Sequence, residues 1–60
     1  MEYILIQDDD CHWYVIPADK RNAWNEWLGS EDYYNGGLPE YANLLDGGPA
    51  DVKFKEYRIK

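Results

Sequence analysis

A single cysteine, Cys11, stands in a chain of 60 residues, so no disulfide can form within it. This rules out the internally cross-linked scaffold that many small secreted domains rely on and leaves apolar packing to hold the fold. A domain of this length buries only about 60% of the surface that its unfolded chain exposes, so large side chains must supply the core. Three tryptophans, six tyrosines and one phenylalanine are there to do so. Each ring buries about 150–250 Å², which corresponds to about 4–6 kcal/mol at 25 cal/mol per Å². Most rings are therefore expected inside, and residues 1–60 read as one domain. A free thiol fits a reducing cytoplasm. No basic region followed by an apolar run marks a signal peptide at the N-terminus, and no stretch approaches the ~20 apolar residues that span a membrane. The expected setting is the cytoplasm, free of membranes.

Residues 2–7, "EYILIQ", are rich in β-branched and aromatic side chains and read as a strand. Their apolar residues occupy both parities, as in a strand covered on both faces or placed centrally. Residues 11–16, "CHWYVI", read as a second strand, and Asp8, Asp9 and Asp10 between them favour a turn. An antiparallel hairpin follows. Pro17 closes the strand and can open a helix. Over residues 18–28, Ala23, Trp24, Trp27 and Leu28 recur at the spacing of one helical stripe, which marks a core face, with Gly29 as a left-handed stop. Residues 29–39 read as a loop and 40–45 as a short strand or a helical turn. Residues 46–50 read as a turn, and 51–60 as a last strand with a bulge near Lys55 and Glu56. The expected fold class is α+β, an antiparallel β-β-α-β-β sheet with one amphipathic helix on one face.

"QDDDCHWY", residues 7–14, holds the densest group of reactive side chains. A calcium loop would space its oxygens at alternate positions and turn on a glycine, whereas these aspartates are contiguous. Zinc needs three or four ligands, and Cys11 and His12, adjacent on a strand, would point to opposite faces. The same opposition separates His12 from Cys11 as base and nucleophile, leaving Cys11 as a small buried hydrophobe. Acids in turns would be solvated and keep ordinary acidity. The glycine pairs at 36–37 and 47–48 lack the Lys-Ser/Thr of a phosphate loop. No metal, cofactor or catalytic group is expected, so the chain reads as a binding protein. An enzyme using His12 with a carboxylate is the alternative.

Charge points to the partner. Residues 1–51 carry eleven acids and two bases, a net of −9, while residues 52–60 carry four bases and one acid, a net of +3. Such a chain repels nucleic acid and is drawn to basic surfaces, including those that hold nucleic acid. Asp8, Asp9, Asp10, Glu31 and Asp32 are the expected charged contacts. Tyr33 and Tyr34, consecutive in a polar loop, read either as interface anchors or as core.

The stretch "DDDCHWYVIPADK", followed by a tryptophan-bearing helix, resembles short acidic proteins encoded by bacteriophages and prophages, a group that includes anti-CRISPR proteins. Several of those imitate nucleic acid in charge and block the basic groove of a Cascade or Cas nuclease. The resemblance implies an accessory inhibitor of a basic, nucleic-acid-handling host protein, for example a type I surveillance complex. A housekeeping interaction module with no link to nucleic acid remains open.

Overall fold

The computed structural model describes residues 2–59. Strands β1 (Tyr3–Gln7) and β2 (Trp13–Pro17) form the antiparallel hairpin that the sequence predicts. Tyr3 pairs with Pro17, Leu5 with Val15, and Gln7 with Trp13. A two-residue strand β3 (Asn43–Leu44) lies antiparallel on the other edge of β2, giving the order β1-β2-β3. Between β2 and β3, a 3-10 turn over Ala18–Lys20 leads into α1 (Arg21–Leu28), and α2 (Glu31–Tyr34) follows. A second 3-10 turn, Gly48–Asp51, and α3 (Val52–Lys55) are the last elements among the described residues.

Alternation along β2 decides what each sheet face covers. Tyr14 and Ile16 join Trp24 and Ala42 in the buried core, with Ile4, Ile6, Trp27, Leu28 and Tyr41 packed against them. Trp24, fully buried, fills the centre of the contact between α1 and the sheet, as the helical stripe predicts. Val15 points to the opposite face, yet it too is fully buried. The C-terminal segment covers that side. The Gly48–Asp51 turn packs against β2, the Tyr57 ring meets Tyr3 edge-on at 5.2 Å, and the Tyr3 N–H donates to the Arg58 carbonyl. Apolar residues of both parities in β1 and β2 thus reflect real two-sided cover.

Three expectations need correction. Residues 51–60 do not form a last strand. The chain turns through a 3-10 segment into α3, ends it at Glu56 in the left-handed region (φ 55°), and meets β1 only through a single parallel bridge, Ile59 to Tyr3. Lys60 lies outside the described residues. Pro49 just inside the 3-10 turn favours helical entry, and the parity switch reflects this helix, not a bulge. Residues 29–39 are not all loop, because Glu31–Tyr34 close one helical turn. Gly29 is not left-handed (φ −94°); α1 ends through bonds from the Gly29 N–H to Glu26 and the Ser30 N–H to Trp27. What is borne out is an α+β chain with a three-stranded antiparallel sheet.

Trp24→Ala should cost about 3–5 kcal/mol in urea unfolding, because the cavity would open at the centre of the core. Phe54→Ala should change stability by less than about 0.5 kcal/mol, since Phe54 is 83% exposed on α3. A comparable loss at Phe54 would mean that α3 packs on the sheet through that ring.

Candidate functional site

The hairpin turn is built around Asp8. The Cys11 N–H donates to the Asp8 carbonyl (3.2 Å) and the Asp8 N–H to the His12 carbonyl (3.1 Å), which closes a three-residue loop. Such a loop places its last residue in the left-handed region, and Cys11 occupies it with φ 67°. Cys11 is exposed, not a small buried hydrophobe. Nor does it lie on β2, so strand alternation does not part it from His12, and both line a hollow of about 300 Å³ with Trp13 and Leu45.

Asp8 is only 8% exposed, which corrects the expectation of a solvated turn acid. Its Oδ1 accepts the N–H groups of Asp10 and His12, each at 2.9 Å, an aspartate turn of the kind that short carboxylates favour. Oδ2 accepts the Tyr14 hydroxyl at 2.9 Å and lies 3.3 Å from His12 Nδ1. Burial pushes the Asp8 carboxyl up, but the bonds from the His12 backbone, Tyr14, the Asp10 backbone and the His12 ring together hold it below its ordinary value. The converse holds for Tyr14. Burial, then the bond to Asp8 and its negative charge, push the phenol up to about 12.

A row of rings runs from this centre to the surface. Centroid distances are 4.9 Å from Tyr14 to Trp24, 4.8 Å from Trp24 to Trp27, 4.9 Å from Trp27 to Tyr33 and 5.5 Å from Tyr33 to Tyr34. Tyr33 is half-buried, while Tyr34 is 77% exposed, so the two tyrosines divide between packing and surface. The row then returns to the turn, because the Asp9 N–H donates to the Tyr33 hydroxyl at 3.1 Å. Segments 24 residues apart are joined by that bond. Removal from water and the carboxylates of Asp10, Asp8 and Asp9 raise the Tyr33 phenol, against the lowering effect of the Asp9 N–H. Asp9, Asp10, Glu31 and Asp32 are all exposed.

Gly36 and Gly37 bring the chain back beneath α2. The Gly37 N–H donates to the Asp32 carbonyl at 2.7 Å, and a Cβ at Gly37 would lie 2.9 Å from that same oxygen, so only glycine fits. This return leaves two adjoining hollows. One, of about 280 Å³, includes Asp8, Asp10, Tyr33 and Leu44 in its lining; the other, of about 320 Å³, includes Asp32, Pro39 and Tyr41. Trp27, Gly37 and Leu38 belong to both.

Asp8, Asp10 and His12 each bring one donor atom within 4.8 Å of the others. The alternate spacing that contiguous aspartates hide is therefore present in space. Both Asp8 oxygens are already engaged by the turn and Tyr14, however, and an ion would compete with bonds that shape the hairpin. Among the described residues, no helix is long and apolar enough to cross a membrane. Comparison with known protein families, with curated proteins and with solved structures found no match.

Sequence reasoning missed Trp27 and Leu38 as surface-lining residues and Asp8 as a buried acceptor. Ser30 followed by Glu31 and Asp32 was the available signal for α2, a capping residue before acids in a first turn.

Asp8→Ala should destabilise by about 1–3 kcal/mol, because the Tyr14 hydroxyl and two N–H groups lose their acceptor. Asp8 is held below its ordinary value in the fold, so its ionised form stabilises fully at neutral pH. That contribution falls away only in acid, below the ordinary value of 3.8. Melting temperatures of Asp8→Ala should therefore fall less steeply than wild type below pH 4. Tyr14 acts with the opposite sign. Its protonated form stabilises below the ordinary value of 10.0, and this is lost as pH rises toward about 12. Ultraviolet titration at pH 11 should thus find Tyr14 still protonated. Cys11→Gly should stabilise by about 1 kcal/mol, since glycine enters the left-handed region without the penalty that a side chain brings.

Proposed function

We propose that the chain is a small acidic binding protein that docks on the basic surface of a nucleic-acid-handling host protein. One observation carries the reading: the bond from Asp9 to the Tyr33 hydroxyl joins the Asp8–Asp10 turn to the Glu31–Tyr34 helix. The two acid-rich segments thus adjoin, with Tyr33 between them and the exposed Tyr34 ring beside it. Tyrosine gives large contact area at small entropic cost, and the carboxylates around it steer the encounter. Asp8 serves this surface as its frame, while Asp9, Asp10, Glu31 and Asp32 supply the charge. The resemblance to anti-CRISPR proteins makes a type I Cascade complex, inhibited by occupation of its DNA-binding groove, the first partner to test.

The contact between His12 and Asp8 favours a second reading, a small enzyme. Asp8 at Nδ1 would orient the imidazole and leave Nε2 to act as a base. His12→Ala would then abolish an activity while melting and partner binding stayed intact.

Retention of partners from host lysate at low salt, followed by elution with rising salt, tests the main reading. Asp9→Lys with Asp10→Lys, and separately Glu31→Lys with Asp32→Lys, should slow association with the retained protein about tenfold or more at low salt. The difference should shrink near physiological salt, where the screening length is about 8 Å. Melting should move little, because exposed charges contribute about 0–1 kcal/mol. If neither pair alters binding at low salt, this surface is not the interface. If chelator reproduces the loss, the Asp8, Asp10 and His12 group holds an ion.

A further inference from the structure

The two adjoining hollows share part of their construction, although Asp8, His12 and Tyr14 line only one of them. Each has an exposed acidic residue in its lining, Asp10 in one and Asp32 in the other, together with aromatic and aliphatic walls. Trp27 and Leu38 are common to both. Leu38 is 47% exposed and Leu44 41%, so apolar surface is on offer beside the acids. Carboxylates in both linings repel phosphate. An uncharged apolar helix would bury those carboxylates without partners, a desolvation cost that works against its docking. Volumes of about 280 and 320 Å³ lie just below and just above the lower end of the range of about 300–1,000 Å³ typical of small-molecule pockets.

Lysine and arginine fit all of these features. Their stems are apolar and their heads charged, so each can lie along an aliphatic wall and end on a carboxylate. Arginine fits better, because a planar guanidinium stacks on aromatic faces and bonds a carboxylate through two N–H groups. We infer that the hollows lined by Asp10 and Asp32 are paired sockets for two cationic side chains, arginine above all, from one extended basic segment of a protein partner. This deepens the proposed function and rests on it. The partner is then gripped by inserted side chains at a defined spacing, and long-range charge serves only to bring it in.

The test uses the full chain, labelled for nuclear magnetic resonance, and an eight-residue peptide alternating arginine and alanine. A second peptide carries citrulline in place of arginine, which keeps the shape and removes the charge, and spermine serves as a polycation without a backbone. The arginine peptide should shift the Trp27 indole N–H and the Gly37 and Leu38 amides, and the citrulline peptide should leave them in place. Spermine should bind more weakly and shift exposed acids generally. Leu38→Trp fills the shared wall without changing any charge and should weaken the arginine peptide about tenfold, the scale of an interface anchor. Leu38→Ala and the pair Asp10→Asn with Asp32→Asn should each weaken it several-fold, and these variants decide the matter if Leu38→Trp melts early. Asp19→Asn, an exposed acid outside both hollows, should bind as wild type.

Sockets are refuted if the folded Leu38 variants bind the arginine peptide within about twofold of wild type, or if Asp19→Asn weakens binding as much as the Asp10 and Asp32 pair. Should that happen while reversal of Asp9 and Asp10 still weakens the lysate partner, the docking surface stands and only the sockets fall. If that reversal is also without effect, both fall together.

Discussion

The structure depends on one buried carboxylate. Asp8 sits where a hairpin turn needs acceptors, and its two oxygens serve two purposes at once. Oδ1 takes the backbone N–H groups that shape the turn, and Oδ2 takes the hydroxyl of Tyr14. Tyr14 is the first ring of the row through Trp24 and Trp27 to Tyr33, whose own hydroxyl accepts the Asp9 N–H. The result is a closed circuit: turn, strand, α1, α2 and back to the turn. Each ring contact adds about 0.5–1.5 kcal/mol beyond the area buried. Closure matters more than the sum, since a domain without a disulfide must fix α2 against the sheet by non-covalent contacts alone.

That circuit explains why three consecutive aspartates do three different jobs. Asp8 points inward and is satisfied by four donors. Asp9 remains exposed, yet its backbone N–H is what holds Tyr33. Asp10 is exposed and enters the lining of a hollow. Treating the run as one block of surface charge would mix a folding effect with a binding effect. Reversing all three would unfold the turn and mimic a loss of affinity. Only Asp9 and Asp10 can be changed to read electrostatics.

Much of this was legible from residue pattern. The hairpin and the α1 stripe follow from the β-rich runs and from the spacing of Trp24 and Trp27, because strong periodicity fixes which face is buried. Apolar residues of both parities in β1 left cover on both faces open beside a central place, and β1 takes the edge. Weak or short elements were not legible. α2 is a single turn and β3 two residues, too short for a period to appear. The segment after Asp51 alternates Val52, Lys53, Phe54 and Lys55 like a strand, but Pro49 set the chain on a helical path and left Phe54 exposed. Asp8 was illegible for a different reason. Its burial arises from tertiary contact with Tyr14, and nothing in a run of identical residues says which one turns inward. The pairing of Asp10 with Asp32 across the shared Leu38 wall has the same origin, since it exists only once α2 is docked.

Charge is also unevenly spread about the sheet, with the densest acids at the turn and α2. Trp24, Trp27 and Tyr33 lead from the Tyr14 and Ile16 face to the acidic turn and α2. Tyr57 and Arg58 tie the basic C-terminal segment to Tyr3, on the strand face shared with Leu5 and Val15. Of the bases there, Lys55 is held by Asp51 at 3.3 Å, while Lys53 and Arg58 are exposed. On the proposed reading a basic surface would meet the acidic turn and α2 first, since Asp46, Asp51 and Glu56 offset Lys53, Lys55 and Arg58 in the C-terminal segment. Steering of this kind acts on the association rate and on orientation, while rings and inserted side chains act on dissociation. The proposed docking thus divides approach and grip between different residues of the same face.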